Sequence, residues 1–500
     1  MQAMKTAGCL LAFGLCCAVH LNSAKADVWV FEPSIALDQR FDDNYYLIPA
    51  GDGDLSATRL VGELGLSSES QSSVLRGLVR VDGLLTTTND NGDEGLDSNQ
   101  IAAFEAKLRS ARSRYGFIVS FKQDTPSRDI AADLSDQDAL ATDTGLNISQ
   151  ASNVARREVE LTPNFQYDMT RRLLFDSKAT FTMVDHDLPS PQDAIYRRYL
   201  DTFPRLPDGS FDGVPLSFNE VTLDDVGGVF TPSGELDNFV EGEIEFGLRY
   251  KYSRIETVSL TAGYSQFEAE VEPDPFAIIP FEDLEPDSEV RQIVRKPRRD
   301  SISTTTSVKL GYERLLTPTI TLGVEGGVYT NTTDMTDTLR ASDRPGEEIP
   351  AERLAVLETS TDGWIASISV TRDAGLTRYV GKFSVDVEPS SSGAQVETNE
   401  LTGDVFHILS PRLRFALRAR AFEPDRLGAN REDRFARRFI SFEPKLEWEY
   451  SRNWTVSGAY RYRRQKAQID PVAAESNALL FSIKYTPPSE IRDAARANGL

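Results

Sequence analysis

The sequence predicts an all-β transmembrane barrel, antiparallel and up-and-down, of about 18 strands with 16–18 in range. Three observations predict it. A secretory leader opens the chain, apolar–polar alternation with a period of two continues almost to its end, and short turns alternate with long polar loops between the alternating segments.

The leader has the expected three parts. Lys5 supplies the positive start, Gly8 to Val19 the apolar stretch, and Ala24-Lys25-Ala26 a small-residue cleavage site before Asp27. The apolar stretch is too short to anchor in a bilayer as a helix. Cys9, Cys16 and Cys17 all lie within it, and none follows a Leu-x-x-Cys lipobox, so simple cleavage is expected. Residues 1–26 are thus read as a cleaved signal peptide, 27–488 as the barrel and 489–500 as a short periplasmic tail. The mature chain then holds no cysteine, which excludes disulfides and thiolate metal sites.

Loss of the leader removes Lys5 and Lys25 and no acidic residue. That leaves 52 basic against 77 acidic residues, a net charge of −25. Such a balance excludes a nucleic-acid partner, which needs a basic footprint. Beyond the leader no run of 18 apolar residues occurs, so helical spans are not expected. A mean hydropathy of −0.35 suits a transmembrane barrel, because only every second strand residue faces lipid.

The alternation is clearest over Phe239 to Tyr252. Val240, Ile244, Phe246, Leu248, Tyr250 and Tyr252 share one face; Glu241, Glu243, Glu245, Arg249 and Lys251 share the other. Successive strand side chains point to opposite faces, and a helix would mix the two sets. The pattern returns at Phe104 to Arg109, Tyr115 to Lys122, Arg412 to Ala421, Ser441 to Tyr450 and Trp454 to Arg463. These segments are about 10 residues or longer, enough to cross a membrane at a tilt. Their charged faces, with aromatic residues near the strand ends, separate them from the strands of a soluble sandwich or propeller. Pro163 and Pro444 run against the pattern, since proline belongs at bulges or edges.

Short turns are expected near residues 70, 111, 170, 254, 317, 375, 410 and 452. Several repeat a signature: Tyr167-Asp-Met169-Thr170-Arg171, Tyr250-Lys-Tyr252-Ser253-Arg254 and Trp448-Glu-Tyr450-Ser451-Arg452. Long polar loops are expected over Thr87 to Ser98, Asp124 to Ser152, Asp187 to Asp237, Glu272 to Asp300 and Asp334 to Glu358. Eight short turns, with both termini on their rim, give 18 strands. Segments Leu55 to Leu66, Ile302 to Glu313 and Gln395 to Ile408 have the weakest pattern. Asn477 to Tyr485 is the last strand, the one barrel-assembly machinery would read. Because the strand pattern begins so soon after the cleavage site, a receptor with a folded plug domain is not expected.

The opening Trp29-Val-Phe31-Glu-Pro33-Ser-Ile35 with Phe41-Asp42-Asp43-Asn44, the strand Thr162-Pro163-Asn164-Phe165-Gln166-Tyr167 and the Thr/Ser-Arg turns carry a family resemblance. The chain resembles the outer-membrane β-barrel porins of exopolysaccharide gene clusters. The resemblance implies an outer-membrane protein associated with export of a surface polysaccharide, and it brings no catalytic residue with it.

Candidate chemistry is sparse. After cleavage only His186 and His407 remain. Asp185-His186-Asp187 is a poor ligand set and reads as a solvated strand end; His407 reads as structural. Asn89-Asp90-Asn91-Gly92-Asp93-Glu94 fails the calcium-loop register, with Glu94 where glycine is needed. No metal, cofactor or catalytic group is predicted. The alternating charge is the strong signal. If the segment Arg412 to Tyr450 turns near Leu427 to Arg431, Arg412 faces Glu449, Arg414 faces Glu447 and Arg418 faces Glu443, with Arg461 beside Glu443 from the next strand. These seven residues are the candidate lumen-lining stripe, read equally as a shape-holding salt-bridge ladder or as a selectivity surface. On the second reading, reversing Glu443 to Lys shifts ion selectivity toward anions.

The expected function is passage of a hydrophilic solute across the outer membrane, the resemblance pointing to a polysaccharide. A non-transporting adhesion or scaffold barrel is the alternative and an outer-membrane enzyme a third. The loop Asp187 to Asp237, with Phe203, Phe211, Phe218 and Phe230 among its prolines, is the expected constriction or lid. Expected partners are outer-membrane lipid and lipopolysaccharide, the assembly machinery, and polysaccharide or export components.

Overall fold

In a computed structural model, residues 29–44, 55–88, 94–124, 155–187, 238–271, 277–278, 293–294, 298–338, 353–389, 395–426, 437–467 and 473–487 are described. The leader, the tail after residue 487, residues 89–93 of the calcium-loop look-alike and the 188–237 loop all lie outside them.

Eighteen strands form the wall. The first nine are β1 Trp29–Asp42, β2 Leu55–Glu69, β3 Ser73–Thr88, β4 Glu94–Arg109, β5 Ser113–Asp124, β6 Ala155–Asp168, β7 Leu173–Asp187, β8 Asn238–Lys251 and β9 Glu256–Val271. They continue as β10 Arg298–Thr317, β11 Ile320–Thr338, β12 Arg353–Asp373, β13 Thr377–Pro389, β14 Gln395–Ser410 and β15 Leu413–Arg426. The last three are β16 Arg437–Glu449, β17 Trp454–Ala467 and β18 Ala474–Tyr485. Each pairs antiparallel with its neighbours in the chain, and β1 pairs with β18, from Ile35↔Tyr485 to Asp42↔Ala478, to close the ring. A separate two-residue ladder joins Ala277–Ile278 to Ile293–Val294. No described helix is long and apolar enough to cross a membrane. Closure joins the first strand to the last, the condition for a sheet to stand in lipid.

All eight short turns fall where the sequence places them, and their signature has a physical cause. At each one a Ser, Thr or Asp side-chain oxygen accepts a backbone N–H two or three residues ahead. Ser73 donates to Ser70 Oγ at 3.0 Å, Ser113 to Ser110 Oγ at 3.0 Å, Leu173 to Thr170 Oγ1 at 3.0 Å and Leu413 to Ser410 Oγ at 3.1 Å. Ile255, Thr319 and Asn453 do the same to Ser253, Thr317 and Ser451. At the eighth turn Gly375, with φ of 74°, donates to Asp373 Oδ1 at 3.3 Å. The side chain thus satisfies backbone that a tight reversal leaves without a ladder partner.

The outer face is apolar. Phe31, Leu60, Val81, Phe246, Leu260, Leu310, Val328, Trp364, Leu446 and Phe481 are all exposed on it. Aromatic rings gather at the short-turn rim: Trp448 and Tyr450 lie 5.3 Å apart, Trp454 and Tyr485 4.8 Å, Tyr115 and Phe165 5.0 Å. An apolar band bounded by amphipathic rings matches a membrane's hydrocarbon layer and interface.

The two prolines sit inside the ring, each at an interruption. Pro163 pairs with Phe117 on one side. On its other side the β6–β7 ladder skips from Leu161↔Phe181 to Asn164↔Lys178. Pro444 pairs with Leu417, and the β16–β17 ladder skips from Phe442↔Tyr462 to Lys445↔Ala459. Without an N–H, proline opens one rung on the side its nitrogen faces. Several strands outrun the sequence pattern. β11 reaches Thr338 and β12 starts at Arg353, inside the stretch expected to be loop. Beyond Asp334 the sequence of β11 is Met-Thr-Asp-Thr, and β12 opens on the continuous apolar run Leu354 to Leu357, so no alternation marks either.

Candidate functional site: the inner wall

Alternation that puts apolar side chains on the outside puts the other set on the inside. The inner set is polar and ionic, and it changes character along the barrel. Toward the short-turn rim it is open to solvent: Glu32, Lys107, Arg249 and Glu313 are exposed. Toward the long-loop rim it is packed. Along β9, Thr257 to Ser265 are half-buried, whereas Phe267 and Ala269 are buried. On β11 the change falls between Glu325 and Tyr329, on β17 between Ala459 and Arg461, and on β18 between Leu480 and Ala478. The described inner wall is therefore a solvent-accessible half joined to a closed half.

The closed half is organised around buried carboxylates. Asp42, at the end of β1, accepts Arg463 Nη2 at 3.0 Å, Ser476 Oγ at 2.7 Å, the Asn44 N–H at 3.1 Å and the Arg40 guanidinium. Arg463 lies on β17, so its side chain crosses the face of β18 to reach β1. Asp82 on β3 pairs with Arg59 of β2 at 2.9 Å and Arg80 at 3.7 Å, and accepts Asn99 Nδ2 at 3.2 Å. Glu443 pairs with Arg461 beside the rung that Pro444 opens. Between them these groups line β16 to β18 and β1 to β4. On the other side of the barrel a neutral network fills β10 and β11, where Asn331 Nδ2 donates to Ser303 and Thr305, both at 2.9 Å, and Ser303 and Thr333 lie 2.8 Å apart. Buried charge persists only when paired and hydrogen-bonded: Asp42 has four donor groups, Asp82 accepts from Arg59 and Asn99, and Glu443 accepts from Arg461.

The structure brings most of the candidate stripe together. Arg414 stands opposite Glu447 and Arg418 opposite Glu443 in the β15–β16 ladder. Arg414 Nη1 reaches Glu447 at 3.1 Å, and its other nitrogen pairs with Glu449. Arg412 lies in the turn before β15, where its carbonyl accepts the Glu449 N–H at 2.8 Å; Arg414 holds the Glu449 carboxylate instead. Arg418 pairs with Asp404 of β14 at 3.1 Å. The stripe spans both halves of the wall. The Arg414 side chain is 40% exposed, that of Arg461 1%.

Sequence reading missed the Asp42 and Asp82 centres. Arg40 and Asp42 alternate like any inner pair, and the partners that bury Asp42 are 421 and 434 residues away. His407 contacts Thr377 Oγ1 through Nδ1 at 2.6 Å across the β13–β14 ladder. His186 ends β7, and its side chain lies outside the described residues. Among the described residues no group of three metal-binding side chains occurs.

A closed 18-stranded wall, apolar outside, aromatic at its rim and ionic inside, crosses a membrane. The chain is an outer-membrane β-barrel. No family model matches it and no curated protein matches it. Solved structures similar to it are barrels. The ferric-catecholate import receptor Fiu from E. coli K12 matches over 91% of this chain and 81% of its own, with 9% identity and a TM-score of 0.41. The outer membrane protein opdK from Pseudomonas aeruginosa matches over 92% and 99%, with 10% identity and a TM-score of 0.37. Acinetobacter baumannii OccAB3 matches over 91% and 99%, with 8% identity and a TM-score of 0.38. At these values they identify no family.

Proposed function

We propose that the barrel is a porin-like channel for a hydrophilic solute. The observation that carries this reading is the inner wall toward the short-turn rim: solvent-accessible, dense in charge, with its ions paired along the wall, as at Arg414–Glu447 and Arg249–Asp176. A wall of this kind gives a polar solute replacement partners for its water and stays clear of the axis. The packed half toward the long-loop rim makes the passage a restricted one. A surface polysaccharide or its fragments is the solute we favour, on the resemblance of the short opening stretches to exopolysaccharide-cluster barrels. The test is single-channel recording of the refolded mature protein, with liposome swelling in sugars of increasing size. Discrete conductance steps and size-limited swelling are expected; a folded barrel giving neither removes the channel reading.

The second reading is a non-transporting scaffold. The packed inner wall favours it, because the side chains at Asp42, Asp82 and Glu443 are buried among their neighbours as in a protein core. Zero conductance from a folded barrel selects it. Catalysis has no observation in its favour.

A further inference from the structure

The wall parts between one pair of strands. The β12–β13 ladder stops at Ala366↔Val385, although β12 continues back to Arg353 and keeps its pairing with β11 throughout. β13 and β14 remain paired with each other beyond that point, from Val385↔Asn399 to Pro389↔Gln395. Above Val385 the β13–β14 hairpin is therefore an arm detached from β12 and joined to the wall through β15 alone, whose ladder with β14 runs on to Val396↔Arg426.

Its direction follows from which faces touch. On β13 and β14 the outward face is marked by exposed Phe383 and Leu401, so Val385, Val387, Glu397 and Asn399 belong to the outward set. On β11 and β12 it is marked by Val328 and Trp364, so Tyr329 and Ile365 belong to the inward set. Yet Tyr329 donates its hydroxyl to Glu397 Oε2 at 3.0 Å, and Val385 and Ile365 are both buried. The outer face of the arm thus packs on the inner face of β11 and β12. Gly363 permits this: a Cβ there would collide with the Tyr329 ring lying across it. The carboxylate of Asp386, on the arm's opposite face, lies within electrostatic range of Lys309 on β10 and Glu243 on β8. β8 is five strands from β13 around the ring, so that proximity is reached through the interior.

We propose that this arm, residues 385–389 paired with 395–399, is the constriction of the channel, packed on the inner face of β11 and β12 and presenting Asp386 to the passing solute. The proposal rests on the channel reading above. Asp386, with Glu243 and Glu245 against Lys309, makes the narrow point favour cationic and neutral hydrophilic solutes over anionic ones.

Two experiments test it. A variant with residues 386–398 replaced by an Asn-Gly turn keeps Val385 and Asn399 as the closing pair. Its conductance should rise roughly twofold or more, and Asp386→Asn in the full chain should reduce cation preference with little change in conductance. The second reads position alone. Cysteines at 329 and 397, in a mature chain that has none of its own, should be joined by a short bifunctional maleimide. Failure of that crosslink in a folded barrel overturns the arm's placement whatever the conductance. A crosslink with unchanged conductance in the shortened variant overturns the constriction and leaves the channel. A crosslink with no conductance in either form overturns the channel reading, and the constriction with it.

Discussion

Arg418 stands opposite Glu443 in the β15–β16 ladder, yet its Nε reaches Asp404 on the opposite neighbour at 3.1 Å, while Glu443 accepts Arg461. Register fixes which side chains are neighbours. Which neighbour an arginine binds is decided by depth and by competing charges. Arg461 is wholly buried and needs a carboxylate more than half-exposed Arg418 does.

Breaking the Arg461–Glu443 pair should be costly. Glu443→Gln leaves the Arg461 charge buried, and such a loss costs about 3–5 kcal/mol. Arg438→Gln, which removes an exposed pair with Glu423, should cost about 1 kcal/mol or less. Denaturant titration of the two variants in lipid vesicles compares them; equal midpoints would show that the buried pair holds no more than the surface one.

Selectivity is better probed lower in the stripe. Reversing Glu443 to Lys places two cations side by side in a closed part of the wall, so it should unfold the barrel locally before it reports on ions. Glu447 is 31% exposed on the solvent-accessible half. Glu447→Lys should keep the barrel folded and move the reversal potential toward anions. A folded variant with unmoved potential makes this stretch of the stripe structural only.

The lipid-facing band predicts a depth dependence. Leu260→Arg, within the apolar outer band on β9 and paired with Leu310 and Leu248, should cost about 2–4 kcal/mol, and Leu316→Arg at the short-turn rim about 0–1 kcal/mol. Refolding free energies in vesicles check the ratio. Equal costs would mean that the apolar face is not set in hydrocarbon.

The mature protein should start at Asp27 and sediment with the outer membrane, as the Ala24-Lys25-Ala26 site followed at once by β1 requires. N-terminal sequencing of that fraction reads it directly; an intact Met1 or a soluble product contradicts it.

The wall was legible in the sequence because its rules are local. Period two, a hydroxyl or carboxylate at each tight reversal and aromatic residues at strand ends are all readable within about a dozen residues, which is how the turns at Ser70, Thr170 and Ser451 are found. The β15–β16 register was legible for the same reason: one hairpin with opposite charges on facing strands admits few alignments. The closed half was not legible. Asp42 meets Arg463 only after the ring is formed. The inward arm was hidden as well, since Asp386 and Glu397 alternate as wall residues do and nothing between Val385 and Asn399 signals that β12 has let go.

The eight-rung seam between β1 and β18 has a consequence for how the barrel is made. Every other ladder in the ring joins consecutive strands and can form as the chain is delivered, one hairpin upon another. The seam alone joins residues separated by most of the polypeptide, as Ser476 to Asp42 at 434 positions. The entropy of closing that circuit is spent in one step, on a short ladder, after all other strands are in place. Until then the Asp42 carboxylate has Arg40 beside it and neither Arg463 nor Ser476. The last event of assembly is therefore also the one that completes the first strand's ion cluster, and a chain truncated before Ala474 should stall as an open, hydrogen-bonded sheet with both edges bare.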